Sequence, residues 1–351
     1  MDDEMPQPAP EALLLDMTWG TLVSQSLSAA AELGVADALA DGPRAVEDIA
    51  AEVGADAPSL YRLLRALSDL GVFEELDGRR FASTPLGEAL RDGVPGSLRN
   101  WAIMLGRPFH RYAWTGLVDS VRTGRSAFEQ VNGRILMDYL RDHPEDARIM
   151  DRAMTEVSGG SAVAAIAARH DFGPARTVVD VGGGQGGLLA AILAANPGIR
   201  GVLYDLPDVV EGQIVDAAGV GDRCDYRGGS FFDSVPAGGD VYVLSNILHD
   251  WDDDRSVRIL RNCREAMNPG GRVLLAEAVL PDGREPSRAK LIDLEMLVIA
   301  PRGARQRTES EFRDLFARSG LRLSRVIPAD GMPFSLVEAE AAGTDQRTDA
   351  G

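Results

Sequence analysis

The chain has 351 residues, 45% hydrophobic and 26% charged, with a formal net charge of −18 at pH 7. This length and composition suit a soluble globular protein of two domains with real apolar cores. The acid surplus excludes nucleic acid as a partner unless a basic patch stands out, and none does. Only Cys224 and Cys263 are present, without paired spacing, so no disulfide framework or zinc knuckle is implied and a reducing, cytoplasmic setting is expected. No apolar run reaches the roughly 18 residues needed to span a bilayer, and the acidic N-terminus lacks the apolar core of a signal segment.

Residues 1–10 are acidic and Pro-rich and 341–351 are small and polar, so both ends read as tails. Next comes WGTLVSQSLSAAAELGVADALA, apolar over much of its surface; such a helix wants a partner, a second subunit for example. A short helix, AVEDIAAEVG, is followed by the turn ADAP and by a helix with Leu60, Leu63, Leu64, Leu67 and Leu70 on one face, ended by Gly71. VFEELDGRRFAST then alternates around Asp77-Gly78, a hairpin signal. Helix, turn, helix, hairpin is a winged-helix arrangement, placed within residues 1–100. DNA binding is one use of it and a dimerising module another. Residues 1–100 carry 18 acidic against 7 basic side chains, which favours the second. Residues 101–170 read as a mostly helical linker to a substrate pocket. Its aromatics, Trp101, Phe109, Tyr112, Trp114, Phe128 and Tyr139, are mostly core, with Trp101, Met104 and Phe109 as candidates to line a flat site. His110, His143 and His170 are assigned to structure.

From 171 to 340 strands alternate with helices. TVVDV, GVLYD, CDYRG, DVYVLSN, RVLLAEAVL, LRLSRVI and FSLVEAE are apolar runs without alternation, as parallel strands buried on both faces should be. Thr308 and Glu311 form a capping box for a helix ending near Gly320. The class is α/β: a doubly wound, Rossmann-like sheet behind a mostly helical N-terminal domain. DVGGGQGGLLAAILAANP follows the first of these strands. Gly182, Gly184 and Gly187 fit G-x-G-x-x-G and Asp205 ends the next strand, which also fits an NAD-dependent oxidoreductase. Asp180, however, precedes Gly182 by two, and the glycines read D-x-G-x-G-x-G through Gly186. That form suits a cofactor without phosphate: the backbone passes close to an amino-acid moiety, Asp180 can hold an ammonium group and Asp205 both ribose hydroxyls.

NILHDWDDD, residues 246–254, contains one of only four histidines. A metal cluster, a general base and a helix N-terminus are three readings of it. Asp252, Asp253 and Asp254 precede the amphipathic RSVRILRNCREAM, where carboxylates cap free amides and complement the helix dipole. The aspartates lie on one turn without a second ligand set, which argues against metal. Ligands of doubly wound sheets bind beyond the C-terminal strand ends. DVYVLSNIL carries His249 to that edge and RVLLAEAVL carries Glu277 there. If the strands are parallel neighbours the two side chains can meet, and Glu277 would fix the imidazole tautomer and favour its protonated form.

VVDVGGGQGG, YDLPDVV, GGSFFDSVP, ILHDWDDD and RQRTESEF, in this order, resemble the S-adenosylmethionine-dependent O-methyltransferases of the plant caffeate and bacterial antibiotic type, over nearly the whole chain. The resemblance implies a homodimer through the winged-helix domain, S-adenosylmethionine as cofactor, His249 as general base and Glu277 as its orienting partner. It places Asp180, Gly182, Gly184, Asp205, Ser230, Phe231 and Ser245 around the cofactor and Met150, Met154, Asn246 and Met296 near the acceptor. The chain departs from the pattern at Ser230, where a carboxylate is usual, at Ser245, where a lysine is common, and at Gln306, which replaces a second glutamate beside the histidine. Gln306 can still hydrogen-bond the imidazole but cannot stabilise it by charge. The implied activity is metal-independent methylation of a phenolic hydroxyl on an aromatic small molecule, such as a bacterial polyketide. The departures leave open a member that binds the cofactor yet hydroxylates or decarboxylates an aromatic polyketide. An NAD enzyme and a DNA-binding regulator are the more distant alternatives.

Overall fold

The computed structural model describes residues 9–159, 166–207, 209–210, 213–329 and 334–342. The expected tails lie almost wholly outside these residues. The chain forms two compact units, Met1–Arg111 with His143–Val157, and Tyr112–Asp142 with Ser158–Gly351. The helical stretch 101–170 is therefore shared between the two.

In the first unit a three-stranded antiparallel sheet has the order β1-β3-β2, with β1 at Arg44–Ala45, β2 at Phe73–Leu76 and β3 at Arg80–Ser83. It packs with the helices Val46–Val53 and Ala57–Asp69. The latter starts at Asp56, whose side chain accepts from the Ser59 amide, supplying one of the acceptors a helix start lacks. Leu60, Leu64 and Leu67 are buried and Leu63 is half-buried, as their spacing predicts. Leu70 differs: it is the C-cap, the chain leaves the helix at Gly71 (φ 75°), and its side chain stays exposed. The hairpin loop spans three residues, Asp77 to Arg79, with Gly78 and Arg79 both left-handed. The helix Pro10–Thr18 buries none of its residues, and Leu14, Met17 and Leu22 beyond it are more than half exposed.

The second unit is built on a sheet of order β10-β11-β8-β7-β4-β5-β6. Its strands are β4 (Thr177–Val181), β5 (Arg200–Asp205), β6 (Cys224–Gly228), β7 (Gly239–Ser245), β8 (Met267–Leu280), β10 (Leu321–Pro328) and β11 (Phe334–Ala341), and the two-residue β9 (Arg307–Thr308) pairs with β8. Val178, Val241, Val243 and Leu274 pack in one core with the helix Gly187–Ala195. Val179, Tyr242, Leu244 and Leu275 pack in another with the helices Asp253–Ala266 and Glu309–Arg318. In the inner strands alternate residues thus reach opposite faces and both faces are dry, which is why those runs show no polar alternation; the edge strand β6 departs from the expectation, burying only Cys224. Each such side chain contributes about 1.5–3 kcal/mol of burial.

The expectation of an all-parallel sheet needs one correction. β11 runs antiparallel to both β8 and β10. The connection from β10 to β11 is too short for the crossover of a dozen or more residues that parallel pairing requires. β10 is an edge strand with mostly exposed or half-buried residues, and Arg322 and Arg325 lie along it, a charged edge that discourages pairing with other chains. The capping box forms as expected: Thr308 accepts from the Glu311 amide and Glu311 from the Thr308 amide.

Candidate active site

β7 and β8 are parallel neighbours, in register at Ser245 and Ala276. Both end at the same sheet edge. Beyond β7, Asn246 takes a left-handed conformation (φ 56°), which asparagine tolerates better than most residues. Its amide donates to the Ala276 carbonyl. The chain then turns so that the amides of Ile247 and Leu248 donate to Glu277 Oε1 at 3.1 and 2.7 Å. His249 follows in the 3-10 turn Leu248–Asp250, and its Nδ1 lies 2.6 Å from Glu277 Oε2. Glu277 is fully buried.

Each oxygen of Glu277 is therefore engaged. The carboxylate requires a proton on Nδ1, which leaves Nε2 as the free acceptor of the neutral ring. Burial by itself pushes the His249 imidazole down. The charges of Glu277 and Asp250 and the hydrogen bond to Glu277 outweigh it, against a smaller opposing push from Arg307, and raise the ring to about 9. Nε2 stands 3.6 Å from Asp250 Oδ1, beyond hydrogen-bond range.

The expected contact from Gln306 is not made. Its side chain is 2% exposed, and among the described residues neither its oxygen nor its nitrogen has a hydrogen-bond partner. Its backbone amide donates to Asp293 instead. The three aspartates act at the helix start. Asp252 caps it by accepting from the Arg255 amide, Asp253 pairs with Arg305 and Arg307, and Asp254 pairs with Arg318. Among the described residues no group of three or more His, Cys, Asp or Glu side chains is placed to hold a metal ion.

The glycine turn runs from the end of β4 to the helix Gly187–Ala195. Gly182 has φ 70°, and a Cβ there would stand 2.5 Å from Ile247 Cδ1 and 3.6 Å from the Phe231 ring, so the turn, the base segment and Phe231 converge. Gly186 has φ 81°, and a Cβ would meet Val215 at 2.4 Å. Only glycine fits both demands. At Gly184, by contrast, a Cβ would meet nothing within 4 Å. Its amide donates to Asp205 Oδ2 at 2.8 Å, and Leu206 donates to Oδ1. Ser230 Oγ accepts from the Phe232 amide, and the Phe231 ring sits edge-on to Phe232 and Trp251. Ser245 is half-buried at the end of β7.

Asp180 is 1% exposed and, among the described residues, neither of its carboxylate oxygens has a well-formed hydrogen bond. Burial, with the Asp205 charge adding to it and the Leu189 amide opposing, pushes the carboxyl up to about 7. A buried acid left this way lacks a cationic partner. The ammonium of an amino-acid cofactor, with glycines that admit backbone approach and Asp205 for a ribose, fits this donor set.

Of the expected acceptor residues, Met296 is buried on the helix Ala289–Ile299 and Asn246 is half-buried at the β7 edge. Met150 and Met154 are half-buried on the helix Pro144–Gly159, in the first unit. Two residues escaped sequence reasoning, Arg307 and Asp293. Arg307 lies inside the stretch RQRTESEF, but a buried arginine leaves no periodic signal that would assign it a role, and nothing in the pattern marks Asp293.

Residues 114–322 match the O-methyltransferase domain family, and residues 15–92 match the O-methyltransferase dimerisation domain. The chain is 48% identical to the phenazine O-methyltransferase of Lysobacter antibioticus over 93% of this chain and 95% of that one. It is 41% identical to the O-demethylpuromycin-O-methyltransferase of Streptomyces alboniger, over 93% and 88%. The solved mitomycin 7-O-methyltransferase superposes with a TM-score of 0.84 at 38% identity, over 95% of this chain and 98% of that chain. Some relatives are named for other activities, N-methyltransferases and the aclacinomycin 10-hydroxylase of Streptomyces purpurascens among them, the last 36% identical over 94% of this chain and 92% of that one. Among the described residues no helix is long and apolar enough to cross a membrane. By these matches and by its sheet, glycine turn and paired histidine, the chain belongs to the S-adenosylmethionine-dependent O-methyltransferase family with its dimerisation domain, and it is a methyltransferase.

Proposed function

We propose that this methyltransferase acts on a phenolic hydroxyl of an aromatic small molecule of bacterial secondary metabolism, without metal, as a cytoplasmic homodimer, and that His249 is its general base. The observation that carries the reading is the Glu277–His249 pair: Nδ1 is committed to a buried carboxylate, while Nε2, 3.6 Å from Asp250 Oδ1, makes no hydrogen bond among the described residues. The names of the relatives support the substrate class.

When bound, S-adenosylmethionine supplies a methyl group activated by its sulfonium. A phenol, with a pKa of about 10, is a poor nucleophile near neutrality. As its oxygen forms the new O–CH3 bond and the S–CH3 bond breaks, its proton passes to His249 Nε2. Glu277 stabilises the imidazolium that results, because its charge is already aimed at Nδ1. A ring raised to about 9 is largely protonated at pH 7 in the free protein. His249 must therefore lose the Nε2 proton before it can accept the one from the phenol, and Glu277 keeps Nδ1 protonated throughout. We assign Asp180, Gly182, Gly184, Asp205, Ser230, Phe231 and Ser245 to the cofactor, and Met150, Met154, Asn246 and Met296 to the acceptor.

Labelled methyl transfer to a panel of polyhydroxylated aromatics tests this. Product should form in EDTA and fall at least about 10²-fold in His249→Ala. Transfer in that variant within about threefold of the parent removes the base. A second reading, hydroxylation or decarboxylation, draws on the hydroxylase relative and on Gln306, which brings no charge to the ring. Product masses separate the two.

A further inference from the structure

The turn that carries His249 is held from two sides. Glu277 holds the ring and the amides that enter the turn. The opposite side is held by the segment 305–307. Arg307 is 1% exposed. Its Nη1 donates to the Leu248 carbonyl at 2.8 Å, and its Nη2 to the Trp251 carbonyl at 2.7 Å and to Ser256 Oγ at 3.3 Å. Nε and Nη2 both reach Asp253 Oδ1, at 3.1 and 2.9 Å. The Arg305 amide donates to the carbonyl of His249 itself at 2.9 Å. Three of the four carbonyls from Leu248 to Trp251 thus end on this one segment.

The segment is rooted where Glu277 is rooted. Arg307 pairs with Val279 on β8, two residues beyond Glu277. The ring's acidic partner and the fork behind its turn therefore share one strand end. A planar guanidinium spans two carbonyls and a carboxylate at fixed angles; an ammonium cannot do so from one position. Burying such a charge is costly, and one half-exposed carboxylate does not offset it fully. A purely structural turn does not need this arrangement.

We propose that Arg307 is a positioning residue for His249: its guanidinium fixes the turn from behind so that the imidazole keeps its alignment with Glu277. This rests on the reading of His249 as the base. The charged groups around the ring are Glu277 on β8, Asp250 on its own turn, Arg307 on β9, and Asp253 and Arg305 beyond Arg307.

The test uses the full-length protein, labelled with 15N at histidine, and follows the His249 Nδ1–H proton signal, assigned by its loss in His249→Ala. In Arg307→Met that proton should exchange with water at least about tenfold faster, while S-adenosylhomocysteine binds within about threefold of the parent. Arg307→Lys should recover only part of the protection. Where an acceptor is in hand, kcat should fall at least about tenfold in Arg307→Met with KM for the cofactor little changed. If Arg307→Met does not fold, Arg307→Lys and Asp253→Asn decide, with a smaller change in the same direction. A folded variant set with unaltered proton exchange overturns the proposal. This readout needs no turnover. Methyl transfer that survives His249→Ala would remove the base reading and leave the measured anchoring of the turn intact, so the two failures are distinguishable.

Discussion

The two halves of the site are finished to different degrees. At the end of β7 the histidine turn is complete in itself: both Glu277 oxygens are engaged, and the carbonyls of Leu248, His249 and Trp251 are taken by the segment 305–307. At the end of β4 the glycine turn is incomplete. Asp180 is buried and, among the described residues, its oxygens have no well-formed hydrogen bond, and a Cβ on Gly184 would meet nothing within 4 Å. On the proposed reading the base must be placed before anything binds, because its alignment determines the rate. If the glycine turn holds the cofactor as proposed, it can carry an unmet electrostatic demand, because a bound ligand would meet it and gain affinity by doing so.

The largest effect is expected at Glu277. Glu277→Ala removes the acceptor of two buried amides and one imidazole. A loss of about 3–5 kcal/mol in unfolding free energy is expected, read from denaturant midpoints. Glu277→Gln keeps an oxygen for the amides but not the charge. It should remain folded and still lose at least about 10²-fold in transfer rate. The stability linkage has a definite sign. His249 is raised in the folded chain above its ordinary value of 6.5, so the pair contributes fully below about pH 6.5, and this contribution is lost as pH rises through about 9. Glu277→Gln should flatten the parent's decline in stability across that window.

On the other side of the site the sign reverses. The Asp180 carboxyl is raised to about 7, so the free protein loses stability as pH rises from about 4 to 7 and the penalty levels off above. Asp180→Asn should be more stable than the parent at pH 8, by about 1 kcal/mol or more, with the gain shrinking toward pH 4. The same variant should bind S-adenosylhomocysteine at least about tenfold more weakly by calorimetry. A gain in stability together with a loss in binding is the signature of a group kept for its ligand. Equal binding would take Asp180 out of the cofactor site.

Smaller effects are expected at Gly182 and Ser230. Gly182→Ala places a Cβ 2.5 Å from Ile247 in a left-handed backbone, and about 1–3 kcal/mol of destabilisation is expected in thermal melts. Ser230→Asp, which restores the carboxylate usual in the family, should tighten cofactor binding by only about two- to fivefold.

Much of this was legible in the sequence because it lies in strands and their ends. Uninterrupted apolar runs placed the sheet, and the spacing of Asp180, Gly182 and Asp205 placed the glycine turn. The meeting of His249 with Glu277 needed only two neighbouring parallel strands. The reversal of β11 was missed because a doubly buried strand reads alike in both directions; the short connection from β10 decides it. Arg307 was missed for a related reason. Nearly all basic residues here are arginine, so a buried one has no mark in composition or period. Gln306 shows the limit of carrying a role over by position: its carboxamide is buried near the histidine turn and forms no bond to the ring.

The central claim, a histidine charged and aimed by Glu277, is met most directly by the pH dependence of single-turnover methyl transfer in the parent and in Glu277→Gln. In the parent, transfer should rise with pH along one ionisation whose midpoint lies at about 9, and Glu277→Gln should move that midpoint down by about one unit or more. A profile flat from pH 6 to 9, or a midpoint unmoved by Glu277→Gln, would contradict the account.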